Sequence, residues 1–193
     1  MNFREVVFYC IFVFQVVHME KLKYFSAILL SLTVIVSFES RGWWTFLPLL
    51  FSFVFIPALE LMFKPGKRNL SPDEQESYAK DPFFKWIVFA IVPIQLFFVV
   101  YFLNVITEPL TLTEQFGRIT SLGVLCGIFG INVGHELGHR SNRFEQFLGE
   151  ILLLTSLETH FLPFHNKGHH YYVATPKDPA TARKNETVFA FWF

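Results

Sequence analysis

Cysteine is nearly missing from these 193 residues: Cys10 and Cys126 are the two present, and each sits inside an apolar run. That excludes a disulfide framework and a thiolate zinc site. Charge is scarce as well, 17% of residues, and the 16 basic and 16 acidic side chains cancel. With no net charge there is no electrostatic case for nucleic acid. The short apolar run over 6–14 has no small-x-small cleavage pattern after it, so it does not read as a signal peptide. What the chain has in place of charge is apolar surface: 52% of its residues, with 26 phenylalanines. One small core cannot hide so much, and a bilayer is the solvent this composition implies.

The apolar residues fall into runs at about 22–38, 43–63, 83–106 and 116–134. Each is near the length that crosses about 30 Å of hydrocarbon, the first being the shortest. Residues 1–18 precede Met19-Glu20-Lys21-Leu22-Lys23, which reads like a natural start. They are therefore expected to be a non-native N-terminal extension, with 19–193 the membrane domain. Polar residues inside the runs are few: Glu60, Gln95 and Asn132. Glu60 suits either the outer shell of a site or a carboxylate snorkelling to the interface. Pro48, Pro57 and Pro93 predict kinks that a membrane bundle tolerates.

Lys21 and Lys23 precede the first run, Lys64, Lys67, Arg68 and Lys80 separate the second from the third, and Arg140 and Arg143 follow the fourth. Only Arg41, with Arg118 at a border, falls on the other side. The positive-inside rule places the N-terminus, the 64–82 loop and residue 135 in the cytoplasm, and Trp43 and Trp44 fit an outer aromatic belt. Ser71-Pro72-Asp73-Glu74 has the form of a capping box and predicts a short helix over 72–80. Asn142 with Glu145 predicts the start of another. Residues 144–164 are apolar enough to suggest a fifth crossing, but they carry Glu145, Glu150, Glu158 and His160. A helix lying in or re-entering the cytoplasmic leaflet is predicted there. The apolar stretch 188–193 is expected to open a further membrane helix, inside which the chain stops.

Six of the 7 histidines fall between 135 and 170. His135-Glu136-Leu137-Gly138-His139 closes the fourth run, and His165-Asn166-Lys167-Gly168-His169-His170 follows the 144–164 stretch. Each contains an i, i+4 pair, which on an α-helix puts two imidazoles on one face with Cβ atoms about 6 Å apart. Neutral imidazole suits zinc, iron, copper or nickel. A crossing at 144–164 would put the two clusters on opposite sides of the membrane, where they could not share a metal. Farther on, Asp178, flanked by Pro176 and Pro179, can accept a hydrogen bond from a ligand histidine or from Arg183, or simply form a turn.

His135 to Arg140, His165 to His170 and the tail Ala174-Thr175-Pro176-Lys177-Asp178-Pro179-Ala180-Thr181-Ala182-Arg183 closely resemble the bacterial alkane 1-monooxygenases. These belong with the integral-membrane fatty acid desaturases and hydroxylases, and the likeness runs from about Met19 to Phe193. The resemblance implies an all-α membrane protein with about four transmembrane helices and a cytoplasmic-side interfacial helix carrying histidine boxes. It implies two non-haem irons, O2 as co-substrate, and terminal hydroxylation of an n-alkane to a 1-alkanol at the bacterial cytoplasmic (inner) membrane. Electrons would come from NADH or NADPH through rubredoxin reductase and rubredoxin. His135, His139, His165, His169 and His170 become metal ligands, with Glu136, His160 and Asp178 as outer-shell candidates. The chain departs from the family in two places. Phe164 stands where a glutamate is common, and the third histidine box of the family's C-terminal half is not present, so the polypeptide as given is expected to be an N-terminal fragment without turnover of its own.

Other readings compete. His135-Glu136-Leu137-Gly138-His139 has the H-E-x-x-H form of zinc proteases, with Glu136 as general base, though the second cluster would then be surplus. A xylene-methyl or fatty-acyl hydroxylase or desaturase of the same superfamily, and a non-catalytic membrane fragment, are the remaining alternatives.

Overall fold

The computed structural model describes residues 26–62, 69, 71–178 and 180–191. Residues 1–18, and the basic residues Lys21, Lys23, Lys64, Lys67 and Arg68 used for orientation, lie outside them. The described residues form helices and no strand. Helix α1 is Ser26–Glu39, α2 Gly42–Met62, α3 Pro72–Lys80, α4 Pro82–Val105, α5 Leu112–Gly138 and α6 Arg143–Thr155. A helix over 161–172, α7, and the short α8, Val188–Phe191, complete the order.

Three helices, α2, α4 and α5, are long and apolar enough to cross a membrane. They match the second, third and fourth runs. The first run appears as α1, only 14 residues long, with its preceding residues among those not described. Burial explains why these are membrane helices: Trp43, Phe53, Leu61 and Leu103 are all exposed, a pattern that costs little only in lipid. Prolines are absorbed locally. Pro48 sits near the start of an α-helical turn, and a π-helical stretch, Phe51–Phe55, precedes Pro57 and loosens the ladder where its ring would clash.

Capping follows the sequence. Ser71 Oγ accepts from Glu74 N–H at 3.3 Å while Glu74 Oε2 accepts from Ser71 N–H at 2.9 Å, closing the box that starts α3. Asn142 Oδ1 accepts from Phe144 N–H at 2.8 Å and starts α6.

The chain divides into two compact units. One holds the described residues up to Ala90 together with Phe97–Leu125. Its core gathers Leu30, Val34 and Phe38 of α1 with Phe98 and Leu125. Within it α5 packs closely on the start of α2, because Gly117 offers no side chain where a Cβ would stand 2.0 Å from Thr45 Oγ1. Arg118, expected at a membrane border, is 1% exposed. Its Nη1 donates to Val105 O at 2.7 Å and to Glu108 Oε2 at 3.1 Å, and its Nη2 to Ser40 O at 3.4 Å. The guanidinium thus caps the carbonyl ends of α1 and α4, where helix dipoles are negative.

The other unit holds Ile91–Leu96 and the chain from Cys126 onward. Gln95 is fully buried there, its amide nitrogen donating to Thr155 Oγ1 at 3.1 Å and Cys126 Sγ at 3.2 Å. The bond to Cys126 joins two membrane-spanning helices, where such bonds contribute about 0.6 kcal/mol.

Candidate metal centre

The site is built on the last turn of α5. A π-helical segment, Cys126–Val133, leads into α-helical Gly134–Gly138, which carries His135 and ends at His139. Helix α6 returns against this turn at glycine distance. A Cβ on Gly149 would stand 2.7 Å from Gly134 O, and Leu137, Leu152 and Leu153 are buried at the contact.

Helix α6 stops after 13 residues, too short to cross a bilayer. Leu157 takes the left-handed conformation at φ 60, Glu158 N–H donates to Leu153 O at 2.9 Å, and Leu157 N–H to Leu154 O at 3.0 Å. This is a Schellman stop with leucine in the place usually held by glycine. The chain turns, and α7 delivers the second box beside the first, as a non-crossing helix requires.

Four imidazoles meet. Their ligand nitrogens, from His135, His139, His165 and His170, all lie within 4.8 Å of one another. His135 Nε2 is 2.7 Å from His139 Nε2 and 2.8 Å from His165 Nε2, and His165 Nε2 is 3.0 Å from His170 Nε2. Phe161 stacks on the His165 ring at 4.9 Å and meets His135 edge-on at 5.5 Å, an apolar wall with no forewarning in the sequence beyond its place four residues before a histidine. Burial, followed by the neighbouring imidazoles of His135, His170, His139 and His169, pushes the His165 imidazole down to about 4. It is therefore neutral at physiological pH, the form that binds metal.

In the second box an α-helical i, i+4 pair would be His165 with His169. The backbone there is π-helical over His165–His169, and His170 N–H donates to His165 O. This i to i+5 winding brings His170, not His169, to the face of His165. His169 stacks beside His165 at 5.3 Å and its Nδ1 lies 2.8 Å from Asp178 Oδ2. Asp178 is buried and also accepts from Ala180 N–H and the Thr181 hydroxyl. A carboxylate on Nδ1 leaves His169 Nε2 as the nitrogen free to ligate.

Three outer-shell candidates are exposed. Glu136 is exposed and its Oε1 accepts from Arg140 Nη2 at 2.7 Å. His160 has a side chain 77% exposed and its nearest carboxylate, Glu158, is 3.7 Å away. Glu60 is exposed on α2.

The fatty acid desaturase family profile matches residues 116–193, which include every histidine of the cluster. Alkane 1-monooxygenase of Ectopseudomonas oleovorans is 34% identical over 156 residues, 79% of this chain and 39% of that protein. Alkane 1-monooxygenase 1 of Alcanivorax borkumensis is 32% identical over 156 residues, 79% of this chain and 38% of that protein. The chain is a homologue of the alkane 1-monooxygenases, within the fatty acid desaturase and hydroxylase superfamily. It spans about two fifths of the length of these relatives. The hydroxylase component of xylene/toluene monooxygenase from Pseudomonas putida is also similar, 30% identical over 86 residues, 45% of this chain and 22% of that protein. With three apolar helices and relatives of this superfamily, the chain is a multi-pass membrane protein.

Proposed function

We propose that this chain contributes the first two histidine boxes of an alkane 1-monooxygenase that converts an n-alkane to its 1-alkanol at a centre of two non-haem irons. The observation that carries the proposal is the meeting of four imidazole nitrogens within 4.8 Å, drawn from two segments separated by α6. The donor set fits the metal: all-nitrogen imidazole ligands suit iron over magnesium or calcium. Bound iron with O2 supplies the oxidising power that an unactivated methyl C–H bond needs and that no side chain offers. The overall change is RH + O2 + 2 e⁻ + 2 H⁺ → ROH + H2O, with electrons from NADH or NADPH through rubredoxin reductase and rubredoxin.

The residues divide the work. His135, His139, His165 and His170 hold one set of ligand nitrogens together, and His169, its Nδ1 proton held by Asp178, offers Nε2 to the same centre. Phe161 covers two of the rings and keeps water from that side. Apolar α2, α4 and α5 let a lipid-dissolved alkane approach without passing through water. The boxes face the cytoplasm of the inner membrane, on the side of Arg140 and Arg143, where a soluble donor reaches them. Glu136 is engaged by Arg140, which disfavours its use as the general base of a zinc protease.

The test is metal and product analysis of the full chain, purified in detergent and supplied with ferrous iron, O2 and the electron donors, against a series of n-alkanes. Bound iron and 1-alkanol support the reading; zinc in place of iron, or peptide hydrolysis, overturns it. The similarity to the xylene/toluene hydroxylase component makes p-xylene the second substrate to include, since a benzylic alcohol would redirect the substrate assignment while keeping the centre.

A further inference from the structure

We infer that Gly138 is a positioning residue of the metal centre: Leu162 seats in the notch left by its missing side chain, and this contact sets the distance between the two histidine boxes. The inference rests on the metal-centre reading above and adds what fixes its geometry. A Cβ on Gly138 would stand 2.1 Å from Leu162 Cδ2, 3.0 Å from Cδ1 and 3.1 Å from Cγ. Leu162 is 8% exposed, so it has little room to retreat.

The backbone conformation does not ask for glycine at this place. Gly138 is helical, and among the described residues the only glycine with a left-handed φ is Gly42. In a helix, glycine costs about 1 kcal/mol relative to alanine. Local propensity therefore favours alanine, and the opposing demand comes from Leu162. Gly123 and Gly127, on the same helix, have nothing within 4 Å of an added Cβ.

The two partners sit at the point where such a contact controls the site. Gly138 lies between His135 and His139 in the last turn of α5, and Leu162 is one turn before His165 on α7. Asn166 Nδ2 also reaches Gly138 O, at 3.4 Å. An alanine at 138 would have to drive the Leu162 Cδ2 methyl back by more than an ångström, and with Cγ also at 3.1 Å in a residue 8% exposed, the side chain must turn or carry α7 with it. Metal sites tolerate errors of about 0.2 Å in ligand distance, so a rigid shift of α7 of that size removes His165 and His170 from the set.

The experiment is a double-mutant cycle on the full chain in detergent, read first by Co2+ titration with its visible absorption. Gly138→Ala is expected to weaken Co2+ binding at least tenfold and alter the spectrum, and Gly138→Ala with Leu162→Ala to recover most of the affinity. Leu162→Phe, which crowds the notch from the other side, is expected to weaken binding like Gly138→Ala, and serves where the latter does not fold. A metal-free arm repeats the cycle by thermal unfolding of the apo protein, with the double variant melting above Gly138→Ala. Wild-type affinity in Gly138→Ala, or a double variant no better than the single one, overturns the inference. No coupling in apo unfolding removes the contact itself. A wild type that binds no Co2+ defeats the metal-centre reading instead, and the positioning role with it, while the unfolding cycle still decides the contact.

Discussion

Asp178→Asn is the perturbation that reads most directly whether His169 ligates. Three donors converge on two carboxylate oxygens: Oδ2 accepts from His169 Nδ1 at 2.8 Å and from the Thr181 hydroxyl, and Oδ1 accepts from Ala180 N–H at 3.0 Å. Burial opposes ionisation of Asp178, but the bonds from Thr181, Ala180 and His169 outweigh it and hold the carboxyl below the usual carboxylate range. It is therefore charged at neutral pH and fixes the His169 proton on Nδ1. Asparagine keeps one acceptor oxygen and replaces the other with an NH2 group. In one orientation the NH2 opposes Ala180 N–H; in the other it opposes both the Thr181 hydroxyl and the His169 ring, and favours the tautomer with its proton on Nε2. That is the nitrogen a metal needs, and the lost negative charge lowers the basicity of the ring as well. Partners of this kind typically change metal affinity by about 10- to 100-fold. The assay is Co2+ titration of the full chain against a competing chelator at neutral pH, with Thr181→Ser, which keeps the hydroxyl, as control. Asp178→Asn is expected to fall in that range and Thr181→Ser to bind as wild type. Equal affinity in Asp178→Asn and wild type would refute the reasoning and leave His169 outside the ligand set.

Three further expectations follow from single sites. His165→Ala should abolish tight Co2+ binding, since His165 touches both His135 and His170, whereas the exposed His160→Ala should leave it unchanged; equal effects would undo the assignment. The folded-state pKa of His165, about 4 against an ordinary 6.5, lies below its unfolded value. The unfolded chain then takes up the proton first, so apo stability is constant above the ordinary value and falls as pH drops through that window; an unchanged pH slope of thermal unfolding in His165→Gln would contradict this. Leu157→Gly should stabilise the apo protein by about 1 kcal/mol, because it relieves a left-handed leucine that is 83% exposed; a lower melting temperature would show that Leu157 makes a contact worth more than its strain.

The sequence alone determined what depends on local chemistry and on length. Apolar runs of bilayer length became α2, α4 and α5, Ser71 and Asn142 began the helices they were expected to begin, and the imidazoles were visible as two boxes. That α6 would not cross followed from its polar residues, but its end did not, because the Schellman stop uses Leu157, a residue type that carries no stop signal. Arg118 was legible in the sequence as a residue at a membrane border, but only the structure shows that the converging carbonyl ends of α1 and α4 bury it. The grouping of the histidines was decided by tertiary structure. A periodicity of 3.6 residues pairs His165 with His169, while the π-helical turn pairs His165 with His170 and leaves His169 to Asp178. One extra residue in a turn leaves no mark in a hydrophobic pattern, since its stability comes from the rings and helices packed around it.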